Sequence, residues 1–123
     1  MTDTDVHAID VQALDRLKEW GGEKLKGQMI RLFLKNSGVR MAQIRTGVVE
    51  EDHDTAERGS HSLKSSAANV GAETLRQLAT QIESAALAHD YDRLRATLPD
   101  IEAAYGAAIS ELESIEREMP DES

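Results

Sequence analysis

From Leu94 onward the apolar residues recur at steps of four and three: Leu94, Leu98, Ile101, Tyr105, Ala108, Leu112, Ile115 and Met119. That spacing keeps one face of an α-helix apolar along its whole length. Asp90 stands before the run as an N-cap and Pro120 closes it, while Pro99 predicts a kink or a restarted first turn inside it. Upstream, Leu75, Leu78, Ala79, Ile82, Ala85 and Ala86 share a face and predict a helix over about residues 72–89. Asp54-Thr55-Ala56-Glu57 reads as a variant capping box, with Asp54 the N-cap of a helix that ends at Gly71. Leu25, Met29, Leu32, Phe33, Met41, Ile44 and Val48 predict a longer helix from Glu23 to about Glu50. Gly38 and Gly47 weaken that pattern, so a bend is expected near Gly38. A short helix over about residues 10–20 comes first, capped by Asp10, stapled by Ile9 against Leu14, and stopped by Gly21-Gly22.

No segment alternates with period two over a useful length, so strands are not expected. Four long amphipathic helices with short connections predict an all-α fold: an antiparallel up-down-up-down four-helix bundle with a short additional N-terminal helix. Residues 1–9 are expected to form a flexible N-terminus, residues 10–118 the bundle, and residues 119–123 an acidic tail. A chain of 123 residues suits one such domain.

Composition narrows the chemistry. The net charge of −9 argues against a nucleic-acid partner, which would need clustered Lys and Arg. The absence of cysteine removes disulfides, thiolate metal sites and a Cys nucleophile. No apolar run approaches the ~18 residues of a membrane span, and no leader pattern opens the chain, so a cytoplasmic protein without a membrane partner is expected. No GxxxxGK[ST] loop or other glycine-rich phosphate cradle is present, so the chain is not expected to use ATP directly.

The run from Ser60 to Ala72 (SHSLKSSAANVGA) concentrates what chemistry there is. Helical spacing puts His61, Lys64, Ser65 and Ala68 on one side and the apolar Leu63, Ala67 and Val70 on another. Ser62, Ser65 and Ala68 are too small to cover the imidazole. An exposed imidazole of ordinary pKa, about 6.5, is largely neutral near neutral pH and can act as a nucleophile. A cation one turn away can offset the charge of a phosphoryl group.

This run resembles the signature of the histidine-containing phosphotransfer (HPt) domain of multistep two-component signalling. His61, Leu63, Lys64, Ser66, Gly71 and Ala72 fall on the family pattern, and the likeness extends over about residues 10–118, from Leu32-Phe33 to Leu75, Leu78, Ile82 and Glu83. One position departs from it: Ser65 stands where the family usually has glycine, so a partner backbone would approach less closely. The resemblance implies that His61 accepts the phosphoryl group through Nε2 and that Lys64 stabilises its charge. It implies docking through Ser62, Ser65, Ala68 and Ala72, and a polar Glu83 near the histidine. The implied partners are receiver domains of a hybrid histidine kinase or a response regulator, which would supply an aspartyl phosphate and a bound Mg²⁺. The chain itself would be a monomeric phosphoryl-transfer intermediate that holds no cofactor and has no intrinsic ATP-dependent kinase activity.

Three other readings compete. His53, Glu57 and His61 are spaced i, i+4, i+8 and could hold a metal, but His53 precedes the predicted N-cap and so falls outside the helix. The phosphoacceptor domain of a histidine kinase typically has an acid after its histidine and then a proline; Ser62 follows here, and no proline lies between His61 and Gly71. A non-catalytic adaptor bundle would use the seam from Leu94 to Met119 for a partner helix, but the protein's own core explains that seam equally well. His7, His53 and His89 are expected to be incidental, Ser66 a packing residue and Gly71 a helix terminator.

Overall fold

The computed structural model describes residues 8–120, which form four helices: α1 (Val11–Val49), α2 (His53–Asn69), α3 (Glu73–Leu87) and α4 (Tyr91–Arg117). Among the described residues there is no strand. Each helix packs on its neighbours in chain order and α4 returns to α1, the arrangement of an up-down-up-down bundle. The predicted N-terminal flexibility and most of the acidic tail fall on residues 1–7 and 121–123, outside the described ones.

The predicted short first helix is the opening part of α1. Asp10 caps it by accepting from the Gln12 amide at 3.0 Å, and Ile9 and Leu14 are both buried. Helical geometry fails at Gly21 and at Gly22, whose φ of 73° suits glycine, and the long helix begins there. The bend expected at Gly38 is absent, because the helix stays regular past both Gly38 and Gly47. At Gly47 the missing side chain serves packing: a Cβ would lie 2.5 Å from the backbone nitrogen of Ala56, so α2 crosses α1 almost backbone to backbone. Gly59 repeats this from α2, where a Cβ would meet the Arg40 carbonyl oxygen at 2.9 Å. Similarly, α4 runs through Pro99 as one helix, without the expected restart.

One N-cap moves. Asp52, not Asp54, caps α2: its carboxylate accepts from the Thr55 amide at 3.2 Å and from the Thr55 hydroxyl at 2.7 Å. His53 is therefore the first residue of α2, rather than outside it. Its ring stacks on His89 at 3.8 Å between centroids and bonds the Tyr91 hydroxyl at 3.0 Å, tying the start of α2 to the α3–α4 connection.

The core is aliphatic, with Ile30, Met41, Ile44, Leu63, Leu75, Ile82, Leu94, Ile101 and Leu112 all buried. Leu63, Ala67 and Val70, the apolar stripe beneath the histidine run, are buried in it. The phase of α2 is thereby fixed, and with it the direction in which His61 points. Ser37 and Tyr105 bond at 3.0 Å, and Arg45 clasps Glu102 at 2.6 and 2.8 Å, both joining α1 to α4.

Candidate functional site

Burial of Leu63 turns His61 outward, leaving its side chain 61% exposed. The ring is nonetheless held. Its Nδ1 lies 2.7 Å from Glu83 Oε2, and Lys64 Nζ donates to the other oxygen of the same carboxylate, also at 2.7 Å. Glu83 comes from α3, nearly buried at 14% side-chain exposure, and so fixes α2 to α3 at the site. Burial opposes its ionisation, yet hydrogen bonds from Lys64 and His61 outweigh that, holding the carboxyl below its ordinary range. An ionised carboxylate only accepts, so Nδ1 must carry the proton it donates. In the neutral ring Nε2 is then left with the lone pair.

On the α1 side of the ring lies a groove of about 390 Å³, lined by residues of α1 and α2 that include Leu32, Asn36, Arg40, His61, Ser62 and Ser65. Ser62 and Ser65, expected to be docking residues, border it, and so does Ser66, expected only to pack. Ala68 is exposed on the same helix. Ala72 does not belong to this surface. It is fully buried in the core at the start of α3, because the chain turns inward after Gly71, and so it offers nothing to a docking partner. The α1 residues Asn36 and Arg40 carried no motif and were missed; only Leu32-Phe33 signalled from the sequence that α1 comes here.

The metal trio considered from spacing does not assemble, since His53 faces His89 and Tyr91. A different trio does. Among the described residues, ligand atoms of Glu57, His61 and Glu83 lie within 4.8 Å of one another, close enough to share a cation. Glu83 is already shared between the Nδ1 proton and the Lys64 ammonium, whose charge would oppose a metal ion there.

An outward-facing imidazole thus lies beside an ammonium on a helical bundle, and comparison with known proteins gives the family of that bundle. The sequence profile of the Hpt domain family matches residues 28–118, most of the chain. The chain belongs to the Hpt domain family. Its function is histidine phosphotransfer in phosphorelay signalling. No curated protein matches the sequence. Among solved structures it resembles the histidine-containing phosphotransfer protein B (HptB) from Pseudomonas aeruginosa PAO1. That match has a TM-score of 0.84 at 18% identity and covers 92% of this chain and 97% of that one. It also resembles the HPT domain of a sensor hybrid histidine kinase from Shewanella, with a TM-score of 0.82 at 16% identity over 94% and 98% of the two chains. At such identities these two likenesses establish the Hpt fold. No helix among the described residues is long and apolar enough to cross a membrane.

Proposed function

We propose that this Hpt domain relays phosphoryl groups between receiver-domain aspartates through His61, as a cytoplasmic monomer. The observation that carries the reading is the exposed His61 ring, held by its Nδ1 proton on Glu83 with Nε2 facing outward. In the transfer, Nε2 forms a bond to phosphorus as the acyl O–P bond of the partner breaks. The partner's aspartate leaves as a carboxylate. No base is needed at Nε2, because its lone pair is free, and the ring's proton stays at Nδ1 against Glu83. That carboxylate offsets the positive charge the ring gains as the new bond forms. Such transfers pass through a loose, in-line transition state, for which positioning and charge stabilisation are the main demands. Lys64, one turn from the ring and anchored by Glu83, supplies an ammonium beside the transferring oxygens. Mg²⁺ would belong to the receiver, whose carboxylates would hold it, and it would offset charge on the phosphoryl group. Ser62, Ser65 and Ala68 are the small residues that let the partner reach the ring.

The test is transfer from a receiver domain carrying labelled aspartyl phosphate, with Mg²⁺ present. Label should move to this protein in an acid-labile, base-stable form. His61→Gln should abolish the transfer with helicity intact, and Lys64→Ala should slow it by roughly tenfold to a hundredfold, the loss of one charge-stabilising donor. Label that still moved to His61→Gln would refute the assignment.

A further inference from the structure

The groove beside His61 is unlike the rest of this chain. The sequence holds 23 Asp and Glu against 14 Lys and Arg, yet among the described residues no carboxylate lines the groove, and its one fixed charge is Arg40. Arg40 is one of several cations with no carboxylate partner among the described residues, and the one of them that lines the groove. Arg45, Arg76 and Arg95 each pair with carboxylates, and Lys64 is committed to Glu83. Among the described residues, the only side-chain hydrogen bond of Arg40 goes to the Gln43 amide oxygen, at 3.3 Å. Its backbone is fixed where Gly59 lets α2 touch α1, two residues before His61. The result is a half-buried arginine on the groove beside His61, with no carboxylate partner among the described residues.

We propose that Arg40 is the docking cation of this protein. It engages acidic side chains surrounding the phosphorylated aspartate of the receiver, while His61 takes the phosphoryl group. This rests on the reading of His61 as acceptor, and charge complementarity carries it further. A receiver that holds Mg²⁺ beside an aspartyl phosphate must surround it with carboxylates, since Mg²⁺ takes hard oxygen ligands. A protein of net charge −9 repels such a face at long range, but salt screens charges beyond about 8 Å. At contact, the local charges decide, and an acid-free groove with an uncompensated arginine is attractive. The guanidinium fork matches carboxylate oxygens two at a time, which a lysine does not. Arg40 is therefore a positioning residue that acts on the encounter, without touching the transferring group.

The experiment measures single-turnover transfer from a receiver domain that charges the wild-type protein, at rising receiver concentration and at low and high salt. Arg40→Ala should raise the half-saturating concentration about tenfold, with the saturated rate within about twofold of wild type. Arg40→Lys should recover part of that loss, Arg40→Glu should exceed it, and the salt dependence should flatten in Arg40→Ala. A partner-free arm uses phosphoramidate, whose P–N bond breaks as the Nε2–P bond forms and ammonia leaves. All Arg40 variants should accept phosphate from it at the wild-type rate. A lower saturated rate, a slower phosphoramidate reaction, or unchanged half-saturation in Arg40→Ala would each overturn the proposal. Failure of the wild type to accept label on His61 from either donor would instead remove the underlying reading.

Discussion

One carboxylate organises the surroundings of His61. Glu83 takes the Nδ1 proton of His61 on one oxygen and the Lys64 ammonium on the other, and both bonds are short. Removing it frees the ring to carry its proton on either nitrogen and lets Lys64 swing away. Glu83→Ala should therefore slow transfer by roughly fivefold to tenfold, about 1 kcal/mol in barrier. Nitrogen NMR of the His61 ring should change from a single Nδ1–H form to a mixture, and Glu83→Gln, still able to accept from Nδ1, should fall between. The pairing also has a pH limit. Because the folded pKa of Glu83 is depressed, its contribution is complete above the ordinary carboxylate pKa of about 4.3 and is lost as pH falls through the lower folded value. Unfolding curves of wild type and Glu83→Gln should converge there. His61 and Lys64 were legible in sequence because one turn of helix joins them, and a family pattern marked Glu83 as a polar neighbour. That the same carboxylate grips both was not legible, since the bond crosses from α3 to α2 over a separation of 19 to 22 residues.

The three connections between helices share one construction. Each preceding helix ends in a Schellman turn: the Asp52 amide donates to Gly47, the Ala72 amide to Ala67 and the Asp90 amide to Ala85, at 2.8 to 2.9 Å. The donor in each turn is also the N-cap of the next helix, so each connection is only three residues long. The left-handed position is held by Glu51, Gly71 and His89, with φ of 55°, 78° and 56°. Only at Gly71 is glycine required by space as well as by dihedral, because a Cβ would lie 2.5 Å from the Asp10 carbonyl oxygen. Gly71→Ala should thus cost more than the usual left-handed penalty of about 1–2 kcal/mol. Glu51→Gly should change stability by less than about 1 kcal/mol, because relief of the dihedral strain is offset by loss of the exposed Glu51–Arg95 pair at 3.0 Å. Urea unfolding measures both. Sequence identified Gly71 as a stop, but its contact with Asp10, at the far end of the chain order, belongs to the assembled fold. The shift of the α2 cap from Asp54 to Asp52 has a similar origin: either aspartate could cap, and the tight turn after Glu51 brings Asp52 to the helix start.

At the scale of the molecule, the labour divides between helix pairs. α1, α2 and α3 supply the groove, the histidine and the carboxylate, whereas α4 completes the core and contributes no side chain to either. Ile101, fully buried on α4, separates stability from function. Ile101→Ala should destabilise the bundle by about 2–5 kcal/mol and leave the transfer rate per folded molecule unchanged. Denaturant unfolding read beside single-turnover transfer checks both halves. The surface charge is divided as well: the excess acid is spread over the chain but kept away from the groove next to His61.

The sequence by itself determined the four helices, their buried faces and the outward position of His61. These follow from periodicity, and periodicity is local: burial of Leu63, Ala67 and Val70 sets the rotation of α2 and so exposes the histidine two residues before Leu63. Gly47 looked from sequence like a weakness in a helix, and only the crossing of α2 showed it to be a contact. Ala72, small and next to a glycine, looked like surface until the turn carried it into the core. The bridge from Glu83 and the approach of Arg40 were likewise decided only by tertiary structure. Both depend on which helix lies beside α2 and at what height, a matter of packing between segments that no spacing along one chain encodes.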